Sequence, residues 1–330
     1  MKKFILPVCG ALILGVVIFA VVFFGGSDVS KDIFAMDTYV NIRVKGRNAQ
    51  KSADIIETLV NNLDKDVLSR QSKDSYIYQL NSENGGKSAK NMSAYFGMLF
   101  EIAQKSNGKF DFTLGALSDL WGFGKNPAVP DKKEIETVLS KCGWEKVTIE
   151  HQQISFPEGL KLDLGAAGKG IALDEIKTYL ESTKIREAVI SLGGSILLYG
   201  KRDYTVGIAN PENSSTNFAV LTLPASCVST SGNYERFFEE DGKRYHHILD
   251  PETGYPVDNG IVSVTVVSQN GTFSDILSTA CFAMGLEDGM ALAKEYNCGI
   301  VVITEGKKVY VSDDLKDSIE IRDGSYTIVE

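Results

Sequence analysis

Four short stretches hold the residue types that chemistry needs. In Thr272-Phe273-Ser274-Asp275-Ile276-Leu277-Ser278-Thr279-Ala280, a helix would set Asp275 and Thr279 at i and i+4, one turn apart on one face. A carboxylate, a hydroxyl and a few backbone or phosphate oxygens suit Mg²⁺, which takes octahedral oxygen coordination and is often shared with a substrate phosphate. The macrodipole alone also favours an acid near a helix start, with the threonine simply packed. In Tyr245-His246-His247-Ile248-Leu249-Asp250-Pro251-Glu252-Thr253-Gly254, adjacent histidines on a strand face opposite ways, so at most one serves a given cleft. A histidine placed by the Asp250-Pro251-x-x-Gly254 turn has the pKa range of a general base, although a lone histidine also fills structural roles.

The third stretch, Leu162-Asp163-Leu164-Gly165-Ala166-Ala167-Gly168-Lys169-Gly170-Ile171-Ala172-Leu173-Asp174, reads as an apolar strand, a glycine-rich turn and a helix. Small residues at a helix start let backbone N–H groups approach phosphate oxygens, and Lys169 adds a cation. The G-x-x-x-x-G-K-[ST] spacing of a Walker loop is absent, and a generic turn would look similar. The fourth, Phe110-Asp111-Phe112-Thr113-Leu114-Gly115 with Leu120-Trp121-Gly122-Phe123-Gly124, is aromatic enough to line a pocket for a planar ring, or to be a packed surface loop.

The elements around these stretches follow from periodicity. Apolar positions Ala53, Ile56, Leu59, Val60 and Leu63 predict a helix over 49–65, and Tyr95, Met98, Leu99 and Ile102 predict a second. A third is predicted over 132–140. Short β-like runs follow at 147–149, 188–192, 196–199, 204–208, 219–223 and 262–267. Segments 236–239 and 244–248 form a hairpin around Asp241-Gly242. Helices over 273–284 and 287–295 lead into strands at 300–304, 308–311, 318–322 and 326–329. Without a strict βαβ rhythm, the fold class is α+β, with mixed or antiparallel sheets and packed helices.

At the N-terminus, Lys2 and Lys3 precede an uncharged apolar run from Phe4 to Phe24, about the length that crosses a bilayer as a helix. It is longer than the apolar part of a cleavable signal and lacks an A-x-A end, so an uncleaved anchor is expected in residues 1–30. The lysines stay inside and residues 31–330, read as one domain, lie on the extracytoplasmic side of the cell membrane. A formal net charge of −9 argues against nucleic acid as partner. Three histidines and the absence of a C-x-x-C pair argue against zinc. Cys9 lies in the anchor, and the pairing of Cys142, Cys227, Cys281 and Cys298 stays open.

Taken in order, these blocks, with Met36-Asp37-Thr38 and Ser229–Tyr234, resemble the FAD:protein FMN transferases, the ApbE family, over nearly all of the chain after residue 30. The resemblance implies an α+β fold around a central FAD-binding cleft. It also implies Mg²⁺-dependent transfer of FMN from FAD to a Thr or Ser hydroxyl of an exported or membrane flavoprotein, releasing AMP. By the same resemblance, His247 is the catalytic base, and Asp275, Thr279 and the carbonyls of Ala172 and Ser278 hold the metal. Met36, Phe110, Asp111, Lys169, Glu175 and Leu249 then line the flavin nucleotide site. The chain departs from the family in two places. Asp37 stands where Met-Gly-Thr is usual, and Leu68-Ser69-Arg70-Gln71 stands where a tyrosine is usual. An FAD pyrophosphatase or a non-catalytic flavin-binding exported protein are the competing possibilities.

Overall fold

The computed structural model describes residues 27–329 apart from Lys90 and Gly124; the Phe4–Phe24 run and Cys9 lie outside the described residues. Among the described residues no helix is long and apolar enough to cross a membrane.

The centre of the fold is a nine-stranded sheet. Its order is Asp28–Ala35, Thr38–Gly46, Ile185–Leu192, Ser195–Tyr199, Ser226–Gly232, Ile261–Ser268, Gly299–Thr304, Lys308–Val311 and Thr327–Ile328. The pairs are antiparallel except the last, which is parallel. Among the described residues the α-helices are α1 (Ala49–Asn62), α2 (Tyr76–Glu83), α3 (Ser93–Lys105), α4 (Gly115–Trp121), α5 (Lys132–Leu139), α6 (Gly168–Glu181), α7 (Gly271–Met284) and α8 (Leu286–Glu295).

Both faces of the sheet are covered. Alternate strand residues point to opposite sides, so Ile42, Val44, Ala188, Ile190, Val264, Val266 and Val302 meet the helices in the main core. Val189, Val228, Val301 and Ile303 meet a second layer built from the three-stranded sheet Ile319–Ile321, Asn213–Leu223 and Tyr204–Asn210. Burial on both sides explains the unbroken apolar run Ile300–Ile303. A satellite cluster of Leu117, Trp121, Ile135, Cys142 and Leu249 ties α4 and α5 to the Phe237–Glu240 and Lys243–His246 hairpin.

Most predicted elements are present within a few residues, and the α+β class holds. Two readings change. Leu162–Leu164 is not a strand, because the side chain of Asn81 occupies the strand partner's place. Asn81 Nδ2 donates to the Leu162 carbonyl at 3.0 Å, and its Oδ1 accepts from the Leu162 N–H at 2.7 Å. The Leu-Trp-Gly-Phe stretch lines a core instead of a ring-binding pocket. Trp121 is fully buried, stacks on Phe123 with centroids 5.8 Å apart, and donates from Nε1 to the Gly254 carbonyl at 2.9 Å.

Candidate active site

Helices α6 and α7 place the acidic part of the site, and their close crossing depends on two glycines. A Cβ on Gly170 would stand 2.3 Å from the Gly271 carbonyl oxygen, and a Cβ on Gly271 would stand 2.6 Å from that of Gly170. Asp174 of α6 sets the register by receiving the N-terminus of α7. Its carboxylate accepts from the N–H groups of Gly271 and Thr272 at 2.7 and 2.8 Å, and from the Thr272 hydroxyl at 2.6 Å. A carboxylate at the positive end of a helix is stabilising.

One turn into α7 stands Asp275, only 3% exposed. Its Oδ2 accepts from the Gly170 N–H at 2.9 Å and its Oδ1 from the Ser195 hydroxyl at 3.0 Å. Lys169 Nζ lies 3.6 Å from Oδ1, so the buried carboxylate has a cation beside it. A group of hydroxyls follows along the same face. Ser231 Oγ is 3.1 Å from Thr279 Oγ1 and 2.8 Å from Ser278 Oγ, and Ser278 Oγ donates to the Asp275 carbonyl at 2.8 Å. Thr279 keeps partial solvent access, whereas Ser278 and Ala172 are fully buried.

His247 comes from the end of the Lys243–His246 strand. Its Nδ1 is 3.1 Å from the Glu235 carbonyl oxygen. A carbonyl only accepts, so Nδ1 carries the proton and Nε2 keeps its lone pair. Burial, helped by the cation of Arg236, pushes the His247 pKa down to about 3, and the ring is neutral at physiological pH. His246 points the other way, with Nε2 2.9 Å from the Val257 carbonyl oxygen and its ring edge-on to Phe282.

Glu235 joins the two halves. Burial raises its pKa, Lys169 and Arg236 oppose that rise, and Asp275 adds to it. Lys169 also acts on His247. His247, Glu235, Lys169 and Asp275 therefore share one electrostatic environment, although α7 and the hairpin are far apart in sequence.

The remaining candidates differ in their surroundings, and Phe110 and Leu249 are buried in hydrophobic clusters. Met36 sits at the turn between the first two strands, its N–H donating to Asp64 at 2.9 Å and its methyl lying over the start of α6 at Gly168. Met36 and Asp37 both take positive φ, 53° and 57°, as a two-residue hairpin turn requires. Asp37 is 3.8 Å from Arg236, across the mouth. Glu175 accepts from the Tyr95 hydroxyl at 2.7 Å. Burial and that carboxylate raise the Tyr95 pKa well above its ordinary value. Asp111 is engaged internally: it accepts from Thr113 N–H at 2.7 Å, Thr113 Oγ1 at 2.6 Å and Trp144 N–H at 3.2 Å. Phe110 belongs to the main core and Leu249 to the satellite cluster. Where the family usually has a tyrosine, Arg70 pairs with Asp119 at 2.8 Å and Asp163 at 3.1 Å. Ser195, Ser231, Glu235 and Arg236 carry no sequence signal of their own for a role in the site. Ser231 lay inside a recognised block, but only folding brings the other three to the cleft.

The ApbE family model matches residues 36–303, which span every one of these groups. The chain belongs to the ApbE family. Among its ApbE relatives, the FAD:protein FMN transferase of Treponema pallidum (strain Nichols) is 32% identical over 288 residues, 79% of this chain and 80% of that protein. The FAD:protein FMN transferase of Klebsiella pneumoniae (strain 342) is 34% identical over 67% of this chain and 71% of that protein. The ApbE protein of Thermotoga maritima superposes with a TM-score of 0.83 at 29% identity, covering 88% of this chain and 99% of that one. The flavin transferase ApbE of Vibrio cholerae gives 0.78 at 26%, covering 89% and 100%.

Proposed function

We propose that this chain is a FAD:protein FMN transferase that moves the FMN part of FAD onto a Thr or Ser hydroxyl of an exported or membrane flavoprotein and releases AMP. The observation that carries this reading is the tautomer of His247. It is neutral, its Nδ1 proton is engaged by the Glu235 carbonyl, and its Nε2 keeps its lone pair, with Lys169, the ion-pair partner of Asp275, near enough to act on it electrostatically. An alcohol is a weak nucleophile, so Nε2 takes its proton as the oxygen attacks the FMN-side phosphorus. A new O–P bond forms, the bond to the bridging oxygen breaks, and AMP leaves with that electron pair. Lys169 holds the pyrophosphate by charge, since the Gly168 and Gly170 N–H groups at the start of α6 are already engaged by the Leu164 carbonyl and the Asp275 carboxylate.

The donor set around Asp275 is all oxygen: one carboxylate, the hydroxyls of Thr279 and Ser231, and nearby carbonyls. That chemistry fits Mg²⁺ held by Asp275, Thr279 and the carbonyls of Ala172 and Ser278, with substrate phosphate supplying further oxygens. When bound, the ion would neutralise charge developing on the pyrophosphate. The Phe4–Phe24 run would anchor the domain on the extracytoplasmic side, near a membrane-bound acceptor, and raise its effective concentration.

The test is to incubate enzyme, FAD, Mg²⁺ and an acceptor flavoprotein and follow acceptor mass. An increase equal to FMN with stoichiometric AMP is expected, falling about 10²–10⁴-fold in His247→Ala while FAD binding persists. Release of free FMN alone would instead establish a pyrophosphatase, and an unaffected His247→Ala would remove the base assignment.

A further inference from the structure

At the end of α6 and the start of α1 lies an open surface cavity of about 480 Å³ whose charged lining residues are Arg47, Lys51 and Lys184. None of its lining residues is a carboxylate, in a chain whose net charge is −9. All three cations are exposed. The nearby acids are turned to other work or lie outside the lining: Asp54 pairs with Lys31 at 2.7 Å, and Glu181 does not contribute to the wall. The cavity also receives the N-terminus of α1, which has neither a side-chain cap from Asn48 nor an acidic residue in its first turn. Its hydroxyl side is built, since Tyr179 bonds to Ser52 at 3.1 Å and Ser182 to the Tyr179 carbonyl at 2.7 Å.

The position of this cavity gives it meaning. Ser27 is fixed against the adjoining strand end, its hydroxyl donating to the Gly46 carbonyl at 2.7 Å, while the Arg47 N–H donates to the Lys184 carbonyl at 3.4 Å. The apolar run ends at Phe24, so only Gly25 and Gly26 separate it from Ser27, and the three chain steps span at most about 10 Å. That distance is about one Debye length at physiological salt.

We infer that the Arg47, Lys51 and Lys184 cavity binds the phosphate of an anionic lipid headgroup and so sets the orientation of the domain on the membrane. This rests on the anchor reading. Basic residues that close to an anionic surface each strengthen association several-fold, so three together amount to roughly a hundredfold. With this edge held down, the domain has a fixed face toward the bilayer instead of swinging freely on its tether.

The experiment places the full chain in nanodiscs of phosphatidylcholine, with or without phosphatidylglycerol, and reads amide hydrogen exchange over 47–52 and 179–184. Stronger protection in the anionic discs, lost in the Arg47→Gln, Lys51→Gln, Lys184→Gln triple variant, is expected. FMN transfer to a soluble acceptor by that variant, unchanged, shows that it is folded. Equal exchange in both lipids, or protection that survives the triple substitution, overturns the inference. The same protection from millimolar inorganic phosphate in neutral discs overturns the lipid assignment in favour of free phosphate. If the chain does not enter neutral discs, the anchor reading fails by itself. Flotation with phosphatidylglycerol vesicles then decides the cavity: flotation dependent on the three cations supports it, and no flotation overturns it.

Discussion

The crossing of α6 and α7 is the point where one methyl group should do the most damage. In Gly170→Ala the new Cβ would lie 2.3 Å from the Gly271 carbonyl oxygen, 2.7 Å from its carbonyl carbon and 2.8 Å from Asp275 Cβ. Normal contacts begin at about 3.5 Å, and two of the three atoms are backbone, so no side-chain rotation relieves the clash. The helices must separate by roughly 1 Å. Overpacking of this kind costs about 1–3 kcal/mol, and stretching the 2.9 Å bond from the Gly170 N–H to the Asp275 carboxylate removes about 1.5–3 kcal/mol more. The better helix propensity of alanine offsets about 1 kcal/mol. The net loss is about 1.5–5 kcal/mol, a fall in Tm of about 2–8 °C by thermal unfolding. Because the same movement shifts Asp275 and Thr279 against Lys169, FMN transfer should fall by about 10²-fold at temperatures where the variant is folded. Gly97→Ala in α3 is the control: nothing lies within 4 Å of its Cβ position, and it should be neutral or stabilising by up to about 1 kcal/mol. A Gly170→Ala enzyme with unchanged Tm and transfer rate would refute the argument that this contact positions the site.

Three further outcomes follow from the same structure. His246 and His247 are both held neutral, their folded pKa values depressed by burial. The unfolded chain binds protons below about pH 6.5 that the folded one refuses, so stability is full above that pH and declines as pH falls toward the folded values. From about pH 7 down to about pH 5 the urea midpoint should fall relative to that of His247→Gln, a difference in which the opposite contribution of Glu235 is common to both; equal pH profiles would contradict the depressed His247 pKa. Asp37→Gly loses a 3.8 Å pair between exposed groups, worth about 0–1 kcal/mol, and relieves a non-glycine residue at φ 57°, worth about 1 kcal/mol. Its Tm should hold or rise slightly, and a marked fall would mean that the pair to Arg236 matters more than its exposure allows. Cys142, Cys227, Cys281 and Cys298 are unpaired and buried, with burial pushing the first three pKa values up to about 11, 12 and 12. All four should resist a thiol reagent until denaturant is added, and dithiothreitol should leave Tm unchanged.

Local patterning carried much of the fold. The spacing of Ala53, Ile56 and Val60 fixes the buried face of α1, and the run Ile300–Ile303 has to be a strand covered on both sides. These are short-range properties, since a side chain's direction repeats every 3.6 or 2 residues whatever the rest of the chain does. The same locality explains why Asp275 and Thr279 could be paired from their spacing before either had a neighbour. What periodicity missed were the Asp28–Ala35 and Thr38–Gly46 hairpin, whose two-residue Met36-Asp37 turn has no glycine, the central Ser226–Gly232 strand, which is defined by distant partners, and α2 and α4, whose short lengths carry few repeats.

Composition and order along the chain thus determined the α+β class and the adjacent His246 and His247, of which at most one serves a given cleft. Tertiary structure decided which of the aromatic residues were core, turning Trp121 away from any cleft and onto the Gly254 carbonyl. It also decided that His247 is a neutral acceptor with its proton on Nδ1, and that Ser195 and Lys169 share Asp275. Protonation state and counter-charge depend on solvent exclusion and on groups within a few ångströms, and residues some 80 or 105 positions apart acquire that proximity only when the chain folds.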